Sequence, residues 1–312
     1  MSGSTKAIIG WLIRLQLAVL AVLCAARARP LTIATYNVEN YVATGRRVDG
    51  AYRQAYPKPE AAKSALRTVI RALDADVLGL QEMGPAGYLE ELRRDLRAEG
   101  LDYPYAASVE AADTDRHVAA LSRIPFRRVQ AHSELEFPYS GGRARVKRGV
   151  LEIVLSGDGP ELTLFLIHLR SRFTERADDP NAALYRAGEA GAVRDLVLRR
   201  FPDPGRAYFL ILGDCNDNKN SRPLRLLTRR GDTRIAAMTK AVDPAGEAWT
   251  YAYGKEDTYS RVDYILASPA LASAIAGDGA RVYDGPGVRE ASDHRPVVVR
   301  LDLSGAAPGS RN

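Results

Sequence analysis

Two short, unbroken apolar runs each end in an acidic residue: Val77-Leu-Gly-Leu80 leads into Gln81-Glu82, and Tyr208-Phe-Leu-Ile-Leu212 leads into Gly213-Asp214. A strand with one wet face alternates apolar and polar residues, so unbroken runs of this length predict strands covered on both faces. A carboxylate at the exit of such a strand stands at a sheet edge. The rest of the chain supplies partners and covers. Residues 31–38 alternate and read as a strand, and further strands are predicted at about 103–109, 117–121, 127–136, 148–155, 162–169, 262–267 and 296–303. Apolar residues at helical spacing predict helices over 59–73, 86–98 (stopped at Gly100) and 181–200, the last broken by Phe201-Pro-Asp-Pro-Gly205. Many strands with short connections and interspersed helices give an α/β sandwich. Three stretches rich in Arg, Tyr and Gly, residues 41–58, 137–147 and 170–180, read as irregular loops, which at that length often carry function.

The chain of 312 residues fits one domain, 29–304, between a leader and a short tail. In residues 1–28, Lys6 and Arg14 precede an apolar run from Leu17 to Ala26 and an Ala26-Arg27-Ala28 pattern. That order predicts a cleaved signal peptide and a secreted or periplasmic protein, because ten apolar residues are too few to span a bilayer about 30 Å thick. No stable membrane association is expected after cleavage, residues 305–312 read as a flexible tail, and the protein is expected to be a monomer. Loss of Lys6, Arg14 and Arg27 lowers the formal net charge from +6 to +3, a mild surplus that suits a polyanionic substrate without demanding one. Beyond Cys24 in the leader, only Cys215 remains, which excludes an internal disulfide and a thiolate-ligated zinc site.

Asn37, Glu39, Glu82, His168, Asp214, Asn216, Asp263, Asp293 and His294 all fall at predicted strand ends or just beyond. Hard oxygen donors with few nitrogens suit Mg²⁺, with Mn²⁺ or Ca²⁺ as alternatives, better than zinc. Phosphoryl transfer needs such a set: a Lewis acid, a positioned base for water, and donors for the charge on phosphoryl oxygens.

Six segments occur in one order along the chain: Thr35-Tyr-Asn-Val-Glu-Asn40, Asp76-Val-Leu-Gly-Leu-Gln-Glu82, Ile167-His-Leu-Arg-Ser171, Gly213-Asp-Cys-Asn-Asp217, Arg261-Val-Asp-Tyr-Ile265 and Ser292-Asp-His-Arg-Pro-Val297. In these the chain resembles the endonuclease/exonuclease/phosphatase superfamily, which includes pancreatic deoxyribonuclease. The resemblance implies a four-layered α/β sandwich, two stacked mixed β-sheets flanked by helices. It also implies Glu82 as principal metal ligand with Asn37, Glu39 and Asp293 nearby, and His168 and Asn216 donating to the phosphoryl group. Asp263 would hold His294, and either Asp214 or His294 would serve as the base. The function so implied is metal-dependent phosphodiester hydrolysis, with nucleic acid as the expected substrate. The alternatives are a phosphatase or phospholipid-type phosphodiesterase, and a catalytically silent binding module, because the shared set identifies the reaction and not the substrate.

Other features read more plainly. His117 and His132 match none of the segments and are expected to be structural. Arg143, Arg145, Lys147 and Arg148 read first as a solvated rim and second as phosphate-backbone contacts, with Arg170, next but one after His168, the strongest candidate among the arginines. Tyr139, Tyr251 and Tyr253 are candidates for stacking on bases, although loop aromatics more often close a core. Ser292-Asp293-His294 has no accompanying Gly-x-Ser-x-Gly elbow, which argues against a serine hydrolase. No aromatic hairpin or membrane-inserting stripe is apparent.

Overall fold

Strand β1 (Leu31–Tyr41) is buried along most of its length because both of its faces are covered. Ile33 enters the apolar layer shared by two sheets, and Ala34 enters a second layer packed under helices. The same alternation recurs in β2 (Val77–Met83), where Val77 and Leu78 point to opposite layers. A computed structural model describes residues 29–156 and 159–304, so the expected leader and tail lie outside the described residues. From Leu31 onward the chain forms one unit.

The remaining sheet strands are β3 (Tyr105–Val109), β4 (His117–Ser122), β5 (Phe126–His132), β6 (Val150–Leu155), β7 (Thr163–His168), β8 (Phe209–Asp214), β9 (Ala237–Met238), β10 (Ala241–Val242), β11 (Asp263–Ala267), β12 (Ile275–Val282) and β13 (Val297–Leu301). One seven-stranded sheet runs β10-β12-β13-β1-β2-β4-β3, and a six-stranded sheet runs β9-β11-β8-β7-β6-β5. Each is antiparallel except for a central parallel pair, β1–β2 or β7–β8, and an edge pair β10–β12. The inner layer joins Ile33, Val77 and Val299 of the first sheet to Leu164, Leu166 and Leu212 of the second. Helices α1 (Glu60–Leu73) and α2 (Ala86–Ala98) cover the outer face of the first sheet through Leu66, Ile70, Leu89 and Leu92. Helices α3 (Ala183–Arg200) and α4 (Arg222–Thr228) cover the second through Val193, Val197, Leu224 and Leu227. This is the four-layered α/β sandwich. Among the described residues, no helix is long and apolar enough to cross a membrane.

Four departures from the sequence reading share a cause. Residues 44–56 and 136–145 are not irregular: they form two-stranded hairpins, Thr44–Val48 with Ala51–Tyr56 and Glu136–Tyr139 with Gly142–Arg145. A third hairpin pairs Tyr251–Tyr253 with Thr258–Ser260. Strand β12 was not expected, and its Gly277 and Gly279 take positive φ angles of +64° and +99° where its register shifts. The hairpin strands are mostly exposed or half-buried, and β12 buries Ala280 and Val282 only past its register shift, so no sustained apolar alternation marks them in the sequence.

Candidate active site

The parallel pair at the centre of each sheet delivers the polar strand ends in register. Asn37 on β1 lies level with Gln81 on β2, one residue before Glu82. His168 on β7 lies level with Asp214 on β8, which in turn faces Asp263 on β11. Asn37 joins the two sheets: its Nδ2 donates to Glu82 Oε1 over 3.3 Å and to Asp214 Oδ2 over 3.1 Å.

The backbone bends to bring these groups together. Between Asn37 and Tyr41 the β1–β2 register shifts, and Glu39, Asn40 and Glu82 take φ angles of +47°, +50° and +63°. Left-handed conformations at non-glycine residues cost energy and cluster at functional sites. Here they let Asn40 N donate to Glu82 Oε2 over 2.9 Å and Glu39 N to Asn37 Oδ1 over 3.0 Å. Gly213 has a φ of +141°, and a Cβ there would lie 1.9 Å from Ile167 O, so only glycine lets β8 approach β7 this closely. Past the strand, Asn216 (φ +50°) donates its backbone N–H to Asp214 Oδ1 over 2.7 Å and its side-chain amide to Asp214 Oδ2 over 3.1 Å.

His294 Nδ1 is 2.8 Å from Asp263 Oδ2, and its Nε2 is 4.0 Å from Asp214 Oδ2. Ser292 fixes this segment by donating to Asn37 O over 2.8 Å and accepting from His294 N over 3.0 Å. Thr250 Oγ1 accepts from Asp263 N over 3.0 Å, and the Tyr251 ring covers His294 at 4.8 Å between centroids. His168 Nε2 is 3.4 Å from Asp214 Oδ2.

Burial disfavours a charged His294, but the charge and hydrogen bond of Asp263, with Asp214 and Asp293 beyond, push its pKa well above the ordinary value. Burial and the nearby positive charge of Arg148 hold His168 well below its ordinary value, so its ring is neutral. Burial, with Asp263 beside it, raises the Asp214 carboxyl, giving it more affinity for a proton than an exposed aspartate has. Asp293 is pushed up to about 6 by burial and by the charges of Glu39 and Glu82, against the opposing pull of His294.

That repulsion among Glu39, Glu82 and Asp293 is the feature a divalent cation would relieve, and with the Asn37 amide these carboxylates make a hard oxygen donor set. Each Glu82 oxygen accepts one hydrogen bond and keeps a lone pair for an ion. The residues present therefore fit such a metal. Asp214, Asp263 and His294 also bring ligand atoms within 4.8 Å of one another, but the Asp263–His294 bond already fills the centre of that group, which we read as acid–base machinery.

The structure thus brings all nine strand-end residues named from sequence to one region. The arginines expected to contact phosphate fare differently. Arg148 is buried, not part of a solvated rim: its Nε donates to Asp113 Oδ2 over 3.0 Å and its guanidinium reaches Leu169 O at 3.3 Å. Arg145 is half exposed on its hairpin and pairs with Glu134 over 2.8 Å. Arg170 stacks over the Tyr185 ring at 4.7 Å. Tyr139 packs edge-on against Tyr185 and donates to Asp179 over 3.0 Å, so it closes a small core. His117 is buried between the Val109 and Thr114 carbonyls, and His132 bonds Glu152, as expected of structural histidines. Sequence reasoning missed Asn40, Lys58, Arg116 and Thr250. Lys58 is buried with its Nζ donating to Glu39 O over 3.1 Å, and Arg116 Nε donates to Asn40 Oδ1 over 2.7 Å. Only Asn40, inside the first segment, carried any signal. Two hairpins also expose tyrosines, Tyr52 and Tyr259, which sequence inspection did not show as hairpins.

A two-sheet sandwich with an imidazole–carboxylate pair, a second buried aspartate and a hard donor set defines a phosphoester-processing class of site. The chain belongs to the Endonuclease/Exonuclease/phosphatase family, whose model matches residues 34–294. Sphingomyelinase C from Streptomyces griseocarneus is similar in structure, with a TM-score of 0.60, 16% identity, and coverage of 87% of this chain and 99% of that one. An endonuclease/exonuclease/phosphatase from Bacteroides vulgatus has a TM-score of 0.60 and 15% identity, covering 88% and 99%. The human Nocturnin catalytic domain has a TM-score of 0.57 and 13% identity, covering 87% and 93%. At these identities the likeness is one of fold. A comparison with curated protein sequences finds no match.

Proposed function

We propose that this chain is an exported, Mg²⁺-dependent phosphodiesterase whose substrate is nucleic acid. The observation that carries this reading is the placement of the Asp263–His294 pair 4.0 Å from Asp214, beside the Asn37, Glu82 and Asp293 donors. Asn37, Glu82 and Asp293, with Glu39 near, would hold the ion, which when bound polarises a phosphoryl oxygen and offsets its charge. Asp214 takes the proton from the attacking water: its pKa is raised, and Asn37 and Asn216 fix its Oδ2 by donating to it. His294, kept charged by Asp263, donates from Nε2 to the phosphoryl group as negative charge grows there. Asn216 stands on the same side, and neutral His168 orients Asp214. Export rests on the leader pattern in residues 1–28.

The sphingomyelinase likeness supports a second reading, hydrolysis of a choline phospholipid. Against it stand the cations beside the site, Arg116, Lys147 and Arg148, which repel a quaternary ammonium headgroup. A panel of duplex DNA, single-stranded DNA, RNA, sphingomyelin and inositol phosphates, assayed with Mg²⁺, tests the assignment. Cleavage of a nucleic acid is expected; turnover of sphingomyelin alone would replace the first reading by the second.

A further inference from the structure

Four cations converge on one flank of the site. Arg116 donates to the Asn40 side chain over 2.7 Å and Arg46 to the Asn40 carbonyl, while the N–H of the same Asn40 is bound to Glu82. Arg148 donates to Leu169 O over 3.3 Å, and Asn216 donates to that same carbonyl over 3.0 Å. Lys147 Nζ lies 3.7 Å from Asp113 Oδ2, the oxygen that Arg148 also takes. The cluster is therefore tied to Glu82 at one end and to Asn216 at the other.

At the Lys147–Arg148 end its negative counterweight is small. Asp113 serves both Lys147 and Arg148. Glu189 is committed to the backbone amides of Lys147 and Arg170, over 2.9 and 2.6 Å, and burial pushes its carboxyl up towards the neutral form. Burial, then Arg148, holds the Lys147 ammonium below its ordinary pKa although Asp113 opposes this, and burial with Arg116 does the same to Arg46 against the pull of Glu39 and Glu82. Like charges held together in a half-buried place are stabilised by an anion. The phosphodiester to be cut is already met by Asn216 and His294, and it carries a single charge.

We propose that Arg46, Arg116, Lys147 and Arg148 form a seat for a second phosphate group of the substrate, next to the phosphodiester that is cut. The inference rests on the phosphodiesterase reading and sharpens it. A neighbouring backbone phosphate and a terminal phosphate would present the same chemistry to the seat. Arg116, which uses its Nε on Asn40, supplies paired donors from the rest of its guanidinium, Lys147 a point charge, and Arg46 and Arg148, held by their carbonyl and carboxylate partners, add positive charge, all suited to phosphate oxygens.

The test compares kcat/KM with Mg²⁺ for four substrates: d(TpT), d(TpT) phosphorylated at its 5′ or its 3′ end, and d(TpTpT). In the wild-type protein at least one two-phosphate substrate is expected to exceed d(TpT) by about ten-fold, the worth of a charged hydrogen bond. Preference for d(TpTpT) alone marks a backbone phosphate, and preference for an end-phosphorylated dinucleotide marks a terminal one. In Arg116→Gln and in Lys147→Gln the ratio should fall to within about two-fold of unity. Equal wild-type rates, or a ratio unchanged in both folded variants, would overturn the seat. Calorimetric titration of thymidine 3′,5′-bisphosphate against thymidine 5′-monophosphate separates this from the underlying reading. Absent hydrolysis with a preserved bisphosphate preference removes the phosphodiesterase and leaves the seat; hydrolysis with no bisphosphate preference in binding or rate does the reverse.

Discussion

Asp263 accepts a 2.8 Å hydrogen bond from His294 Nδ1, and this contact crosses from β11 to the segment entering β13, so one sheet orients the proton donor of the other. The bond fixes the ring orientation, leaving the Nε2–H to face Asp214. Asp263→Asn keeps the volume but removes the charge. The expected result is a fall in kcat of about 10²–10⁴-fold with KM little changed and circular dichroism preserved. A kcat within a few-fold of wild type would show that His294 works without this partner.

Glu82 receives hydrogen bonds from Asn37 on one oxygen and Asn40 on the other, and Glu82→Gln keeps one of these while losing the negative charge. Mg²⁺ binding measured by calorimetry should weaken by at least about ten-fold, and activity should fall by about 10²-fold or more at fixed Mg²⁺. Unaltered Mg²⁺ binding would place the ion elsewhere.

Gly213→Ala tests the closeness of β7 and β8. A methyl group 1.9 Å from Ile167 O cannot be accommodated without moving the strand that carries Asp214. Denaturant unfolding should show a loss of at least about 2 kcal/mol, with activity reduced in the folded fraction. Wild-type stability would mean that the strands part easily.

A structural group away from the site contributes to acid stability. Glu152 on β6 is buried; burial raises its pKa, but the His132 hydrogen bond and the Arg128 charge outweigh this and hold it below 4.5. A carboxylate depressed in the folded state adds stability above its unfolded pKa, and that stability is lost as pH falls from about 4.5 through the lower folded value. Glu152→Gln should therefore lower the unfolding free energy at pH 7 and flatten its decline below about pH 4.5. Parallel acid limbs for the two proteins would contradict this.

Much of this site was legible because the segments that build it are strands buried on both faces, which announce themselves as apolar runs, and because chemistry sits at their exits. Glu82 and Asp214 are read this way directly. Arg148 was misread: next to Arg143 and Arg145 it looks solvated, yet Asp113, 35 residues earlier, draws it inside. Arg116 and Lys58 gave no signal, since a single cation on a polar stretch acquires its meaning only from the backbone bend at Glu39 and Asn40 that brings it near. The hairpin over 44–56 was illegible for a related reason: its strands pair with each other and are mostly exposed, so burial leaves no pattern in them.

Hydrolysis of bis(p-nitrophenyl) phosphate by the purified protein is the decisive measurement for metal-assisted phosphodiester hydrolysis at the Glu82–Asp214–His294 site. The expected p-nitrophenolate release requires Mg²⁺, stops with EDTA, returns when Mg²⁺ is restored, and is lost in both Glu82→Gln and His294→Ala. Release that persists in EDTA, or in either folded variant at the wild-type rate, would contradict it.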